Sequence, residues 1–298
     1  MEEATPAALV ADLVDLLDVV AVDVDLFRGR RSTGGIGRVF GGQVVAQALQ
    51  AAQRTVAGRA AHSLHGYFMR PGSEAAPIDY RVTRDFDGAS FATRRVVAWQ
   101  DERPILTLTA SFQREEEGFH HQAPMPEVPG PETLRSEREW RIEQRESIPE
   151  RWRAALLRER PIEFRPVAPR RWTDPAPREP VQHSWFRAVA PLGDDPAVHR
   201  ALLAYASDTA LLSTAMLPHG VSWTTPGMQT ASLDHALWLH APARVDEWLL
   251  YASDSPWAGG GRGYNRGAIY ARDGRLVASV AQEGLIRRRQ RGGIDADR

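Results

Sequence analysis

Asp208, Ser232 and Gln282 are the side chains whose types could together hold a water molecule and take its proton. Asp208 lies in AYASDTALL. On a helix its neighbours three and four residues away are Ala204, Tyr205, Leu211 and Leu212, a largely apolar set. A carboxylate on such a face is desolvated, and its pKa rises toward what a general base needs. The competing role is an N-cap for a helix starting at Thr209. Gln282 lies in LVASVAQEGLIR. Strand alternation puts it on one face with Leu276, Ala278, Val280, Gly284 and Ile286, where it is the one polar side chain. An amide there can donate to and accept from a water, with Gly284 leaving room beside it. A buried Gln bonded to backbone has the same signature. Ser232 opens the run SLDHALWLH, and its parity groups it with Asp234, Ala236 and Trp238 on the less apolar face. A structural hydroxyl is the default there.

Other chemistries are excluded or weak. Ser232, Asp234 and His235 cannot converge as a triad within one extended run, because neighbours point to opposite faces. The chain has no G-x-S-x-G elbow, no cysteine and no lysine, which removes acyl-serine, thiolate and Schiff-base routes. No metal-ligand spacing occurs; His120-His121 is a loop doublet, and no cofactor is expected. Gly259-Gly260-Gly261 followed by Arg262 fits either an anion-binding loop or a plain hairpin connection. Gly41 and Gly42 at a helix start fit either backbone donation to a ligand or close packing. His65 sits in a strand pattern matching that of His235. Gly41, Gly42, His65, Gly259 and Arg262 are the candidate substrate contacts.

The elements that must carry these residues occur twice. HSLHGYFMRPG, from residue 62, is echoed by SLDHALWLHAP, from residue 232. Each is followed by paired strands, turning at Asp101-Glu102-Arg103-Pro104 in the first case and Asp273-Gly274 in the second. Each is preceded by a helical pattern, FGGQVVAQALQAA at 40–52 and HRALLAYASDTALLSTAM at 199–216. The expected fold is α+β, with an antiparallel sheet wrapping a central helix twice over and the two sheets pairing into one layer with a ligand cleft between the halves. The expected units are residues 1–117 and 181–290. A Pro- and charge-rich connector with surface helices spans 118–180, and a disordered tail spans 291–298. The connector is rich in Arg, but Glu nearly matches it, so it reads as solvated. Leu9, Leu13, Leu16, Leu17 and Val20 fall at helical spacing near the N-terminus.

The formal net charge is -1, so electrostatics offers no case for nucleic acid as partner. Of 298 residues 43 % are hydrophobic, enough for a buried core, yet no apolar run approaches the roughly 18 residues of a membrane span. The N-terminus is acidic where a signal peptide is basic. The expectation is a soluble, cytoplasmic protein without membrane insertion.

The segments VFGGQVVAQAL, HSLHGYFMRPG, DGASFATRRV, LTASFQ, YASD, LDHALWLH, EWLLY and VAQEG, in this order, resemble the acyl-CoA thioesterase II (TesB-like) family. The resemblance runs from about residue 26 to residue 287. It implies two hotdog units in one chain, an acyl-CoA substrate, a homo-oligomer, and a catalytic set of Asp, Thr or Ser, and Gln. By motif these fall on Asp208, Ser232 and Gln282. Members commonly have Thr where this chain has Ser232, which keeps the hydroxyl but loosens its rotamer. A thiolate leaves readily, since thiols have a pKa of about 8.5, so an oriented, partly deprotonated water suffices. Two other readings are a double-hotdog enoyl-CoA hydratase and a non-enzymatic acyl-CoA binding module. The hydratase would need an Asp-His pair with an adjacent Asn, and the one Asn, Asn265, lies on a late strand. Aligning the repeats places Gln43 opposite Asp208, His62 opposite Ser232 and Ser111 opposite Gln282. That pairing leaves the first repeat without a base and predicts one active site per chain.

Overall fold

Period-2 alternation in the strand segments and apolar stripes in the helical ones produce a single antiparallel sheet with two long helices against one face. The computed structural model describes residues 4–31, 37–171 and 175–288. Helix α1 (Pro6–Leu17) starts on the Thr5 hydroxyl, which accepts from the Ala8 N–H. It stops before Val20, because the β-branched run from Val19 forms strand β1 (Val19–Asp23). The first unit continues with β2 (Leu26–Gly29), α2 (Gly41–Gln53), β3 (Ala60–Phe68), β4 (Ile78–Asp87), β5 (Phe91–Gln100) and β6 (Arg103–Gln113). Helices α3 (Glu137–Glu143) and α4 (Glu150–Leu157) follow in the connector. The second unit comprises β7 (Ile162–Pro166), β8 (Val181–Ala188), α5 (Pro196–Ser207), β9 (Met228–Ser232), β10 (Asp234–Leu239), β11 (Leu249–Gly259), β12 (Arg262–Ala271) and β13 (Leu276–Arg288).

All strands join one 13-stranded sheet, ordered β1-β2-β4-β5-β6-β3-β10-β13-β12-β11-β8-β7, with β9 also paired to β13. The seam between units is β3 against β10, where Gly66 faces His235 and Leu64 faces Leu237. Helices α2 and α5 pack together beneath this seam. Both are rich in alanine on their buried sides, Ala46, Ala48, Ala51 and Ala52 in one and Ala201, Ala204 and Ala206 in the other, so their backbones approach closely. The polar side chains of α2 are bonded: Gln47 accepts from the buried Tyr80 hydroxyl at 2.7 Å, and Gln43 Nε2 donates to the Arg30 carbonyl at 3.2 Å.

The 118–180 stretch does more than connect. Met125, Val128 and Leu134 cover an apolar cluster of Trp185, Trp248, Leu250 and Tyr270 on the opposite face of the sheet. The Trp185 indole N–H donates to the Pro129 carbonyl at 2.9 Å. Strand β7 also lies inside this stretch and pairs with β8. Apolar residues sparse among charges conceal such a cover, because each contributes singly rather than in a periodic run. Of the expected tail, residues 291–298 fall outside the described residues.

Candidate active site

The helical pattern at 199–216 breaks at the candidate base, Asp208. Helix α5 ends at Ser207, and Asp208 is its C-cap. Ala210 takes a left-handed φ of 63°, and a 3-10 helix runs from Leu211 to His219. A left-handed φ costs an alanine about 1–2 kcal/mol. Two bonds to the Ala210 carbonyl oppose that cost, from Gln182 Nε2 at 2.9 Å and Ser213 Oγ at 2.6 Å. Asp208 is therefore neither in a helix interior nor the N-cap of a helix at Thr209. The break turns its carboxylate toward the start of α2 in the other unit. A Cβ on Gly41 would stand 2.8 Å from Asp208 Oδ2, and one on Gly42 would stand 2.5 Å from the Tyr205 carbonyl oxygen. Glycine at both positions lets the two helices meet there, and the Gly42 N–H donates to the Asp208 carboxylate.

Gln282 lies on the inner face of β13 with Ala278, Val280 and Gly284, as alternation predicts. Its Nε2 donates to Asp208 Oδ1 at 2.5 Å. The room beside Gly284 is filled by Leu212, whose Cδ1 would be 2.1 Å from a Cβ there.

Ser232 reaches the same cluster, and its parity is the reverse of the sequence expectation. Ser232 pairs with Gly284, whereas Ala236 pairs with Ala281. Four residues on one strand thus span three on the other, which is a β-bulge at Leu233. One extra residue flips everything before it to the opposite face. Ser232 consequently shares the inner face with Gln282, and its Oγ donates to Asp208 Oδ1 at 3.4 Å.

A fourth residue, His235, completes the cluster and was missed as a site residue in the sequence. It is wholly buried, with Nδ1 3.1 Å from Gln282 Nε2 and Nε2 2.8 Å from Ser207 Oγ. The signal was available: His235 shares parity with Leu233, Leu237 and Leu239, the same oddity that singled out Gln282. Asn265 is also buried beside Gln282, its cross-strand partner. Its side chain is committed to structure, accepting from the Ala215 N–H at 2.9 Å.

Burial raises the Asp208 pKa, while His235, Gln282, Gly42 and Ser232 oppose the rise. Burial likewise lowers the pKa of His235, against the opposing pull of Asp208 3.9 Å away. Gln282 and His235 are fully buried, but Asp208 keeps 8 % of its surface and Ser232 is half-buried, so the cluster opens on the Ser232 side. Gln282 Oε1 is buried with no hydrogen-bond partner. Among the described residues no group of three or more His, Asp or Glu side chains is placed to hold a metal.

The other candidates lie elsewhere. His65 is on the outer face, its Nε2 2.9 Å from Asp234 Oδ2, and Asp234 Oδ1 in turn accepts from the Glu283 N–H at 2.6 Å next to the bulge. Gly259 and Arg262 flank the β11–β12 hairpin, whose turn uses Gly260 and Gly261 at φ 55° and 77°. Arg262 leans over the Trp257 ring at 5.8 Å and pairs with Glu283 at 3.5 Å, again on the outer face. The repeat alignment through His62 and Ser111 is one residue out of step. Those two side chains bond each other at 2.8 Å on the outer face, and Gln43 points to Arg30. Register identifies the true counterparts. Gln282 faces Asn265, as Ala110 faces Arg94. Ser232 faces Gly284, two residues beyond Gln282, just as Ala61 faces Phe112, two beyond Ala110, across a matching bulge. The counterpart of His235 is Leu64, which faces Ala110. Ala61, Leu64 and Ala110 are all buried and apolar, so among the described residues these positions are polar in the second unit and not in the first.

Two units that each wrap a helix, fused through one sheet, with a buried polar cluster at the start of one helix and the end of the other, define a double-hotdog protein. The chain belongs to the acyl-CoA thioesterase family. The family's sequence models match in two blocks, "Acyl-CoA thioesterase N-terminal domain" over residues 29–113 and "Acyl-CoA thioesterase" over residues 159–285. The chain is 43 % identical to human acyl-coenzyme A thioesterase 8, covering 91 % of this chain and 88 % of the relative. It is 38 % identical to acyl-CoA thioesterase 2 of Haemophilus influenzae, covering 93 % and 97 %. The crystal structure of acyl-CoA thioesterase II TesB2 from Mycobacterium marinum superposes with a TM-score of 0.75 at 39 % identity, covering 92 % of this chain and 98 % of that one.

Proposed function

We propose that this protein hydrolyses fatty acyl-CoA to free acid and CoA by direct attack of water, with Asp208 as base. The observation that carries the reading is the convergence of Asp208, Gln282 and Ser232 on one small buried cluster in which Gln282 Oε1 is unpartnered. With the Ser232 proton given to Asp208, a water donating one proton to Gln282 Oε1 has its other proton directed at Asp208. As the water oxygen bonds to the thioester carbon, Asp208 takes that proton; the C–S bond then breaks and the thiolate departs with the CoA. The raised pKa of Asp208 strengthens it as a base, and the apolar walls of Phe40, Phe68 and Tyr205 around the α2 start sustain it. With the Gly42 N–H on Asp208 and the Gln43 N–H on the Phe40 carbonyl, the Gly41 N–H at that start, where the helix dipole is positive, is the group suited to the developing oxyanion.

Among the described residues no helix is long and apolar enough to cross a membrane. The same proposal includes one active site per chain, a soluble cytoplasmic enzyme and a homo-oligomeric assembly. Titration with a non-hydrolysable acyl-CoA analogue, cell fractionation and light scattering test these three. The test of the activity is thiol release from a panel of acyl-CoAs, run beside hydration of crotonyl-CoA. Thiol release is expected. Hydration without it would replace the hydrolase reading with a hydratase, and binding with neither activity would leave a binding module.

A further inference from the structure

We infer that His235 is a positioning residue for this reaction: it fixes which way the Gln282 amide faces, so that Oε1 and not Nε2 meets the nucleophilic water. The inference rests on the hydrolase reading above. A glutamine amide has two nearly isosteric orientations, and only one of them presents an acceptor to the water. Gln282 Nε2 carries two N–H groups. One is directed at Asp208 Oδ1, 2.5 Å away, and the other at His235 Nδ1, 3.1 Å away. With both spent, Oε1 is left buried and unpartnered.

The orientation of the imidazole is itself dictated, one bond at a time, by the end of helix α5. Ser207 Oγ donates to the Ala204 carbonyl at 2.9 Å. Its lone pairs then face His235 Nε2 at 2.8 Å, which places the imidazole proton on Nε2. Nδ1 is left as an acceptor, and only the amide N–H of Gln282 can satisfy it. The chain therefore runs one way, from Gln282 through His235 and Ser207 to a backbone carbonyl. A carbonyl cannot donate, so the direction cannot reverse without breaking a bond. Tyr251 clamps the same turn by donating to the Ser207 carbonyl at 2.7 Å. The arrangement also separates His235 from the chemistry itself. Its two nitrogens are occupied by Gln282 and Ser207, so neither is left to accept a proton from the water. The first unit corroborates the pairing: where Gln282 is replaced by Ala110, the position of His235 is taken by Leu64, so the histidine occurs only where there is an amide to orient.

The experiment is a mutant cycle on the full chain, with thiol release from a saturating acyl-CoA as readout. His235→Leu is expected to lower kcat on the order of 10- to 100-fold, because a misplaced group costs about that much, with KM within about twofold. His235→Asn, whose Oδ1 falls near the place of Nδ1, is expected to recover most of that loss. In a Gln282→Ala background His235→Leu should cost less than about twofold more, since a residue acting through another adds nothing once the other is gone. Full kcat in His235→Leu, or losses that multiply in the double variant, would overturn the inference. Circular dichroism checks folding, and if His235→Leu does not fold, Ser207→Ala takes its place in the cycle. Heteronuclear NMR of the imidazole nitrogens gives an answer independent of turnover: the expected state is neutral with the proton on Nε2, and a proton on Nδ1 overturns the inference. Wild-type turnover in Asp208→Asn would instead overturn the underlying site reading. Loss in Asp208→Asn together with full turnover in His235→Leu would overturn the role of His235 alone.

Discussion

Replacing Asp208 by Asn changes charge and basicity while nearly preserving shape, so it separates catalysis from folding. The carboxylate receives Gln282 Nε2 at 2.5 Å, Ser232 Oγ at 3.4 Å and the Gly42 N–H. An asparagine oxygen can keep the Gln282 bond, but its NH₂ then faces the Gly42 N–H. Turning charge-assisted bonds into neutral or absent ones costs about 1 kcal/mol each. Against that, a buried charge is removed, and burial is the largest influence on this group. The two effects oppose each other, so the net stability change should stay within about 2 kcal/mol, or a melting shift of about 4 °C at most for a chain this long. Loss of a general base costs about 10²- to 10⁴-fold, equivalent to roughly 3–5 kcal/mol of barrier. The expected outcome is a folded protein with kcat down at least about 100-fold and KM little changed, because Asp208 addresses the water and not the acyl chain. Chromogenic capture of released thiol at saturating acyl-CoA measures it, with circular dichroism on the same sample. A folded variant retaining more than about a tenth of wild-type kcat would refute the assignment of Asp208 as base.

Gln282→Ala should lower kcat about 100-fold and Ser232→Ala about 10-fold, since the serine bond is the longer one, while Ser232→Thr keeps activity. Steady-state kinetics on the three variants tests this ranking. Because the Asp208 pKa is raised in the folded enzyme and the base must be ionised, activity is present at neutral pH and lost as the pH falls through that raised value. A kcat profile whose acid limb stands above the ordinary carboxylate range is expected; one at that range would mean a solvated carboxylate. Gly284→Ala should displace Leu212 and destabilise the protein by about 1–3 kcal/mol, read as a lower urea midpoint.

What could be read from the sequence follows from periodicity, and what could not follows from its interruptions. The tight turns at Asp101-Glu102 and Asp273-Gly274, the central helix α2 and the inward Gln282 all obey a fixed period, and the structure has them as expected. The bulge at Leu233 and its counterpart at His62 each insert one residue, and a period-2 argument carried across them assigns the wrong face. That slip misplaced Ser232 in the strand pattern; His62 and Ser111 fall out of step for another reason, because His65 and His235, which look alike in sequence, lie on opposite faces. The end of α5 was invisible for a different reason. Ala, Leu and Thr on either side of Asp208 all tolerate a helix, and the break is imposed from outside by Gln182 and by the left-handed Ala210. His235 is legible on the same test as Gln282, a polar side chain in step with Leu233, Leu237 and Leu239.

The β3–β10 seam has a consequence for how the enzyme is put together in solution. A site that draws Asp208 from one helix and the Gly41-Gly42 start from another would, in a pair of separate hotdog chains, exist only while the pair holds. Here both helices belong to one covalent strand of polypeptide, so the encounter is intramolecular and its effective concentration is set by the connector, not by the amount of protein. Dilution cannot pull the halves of this site apart. Freed from serving in two identical sites, the first unit can hold Ala61, Leu64 and Ala110 where the second holds its polar cluster, a division of labour closed to any assembly of identical halves.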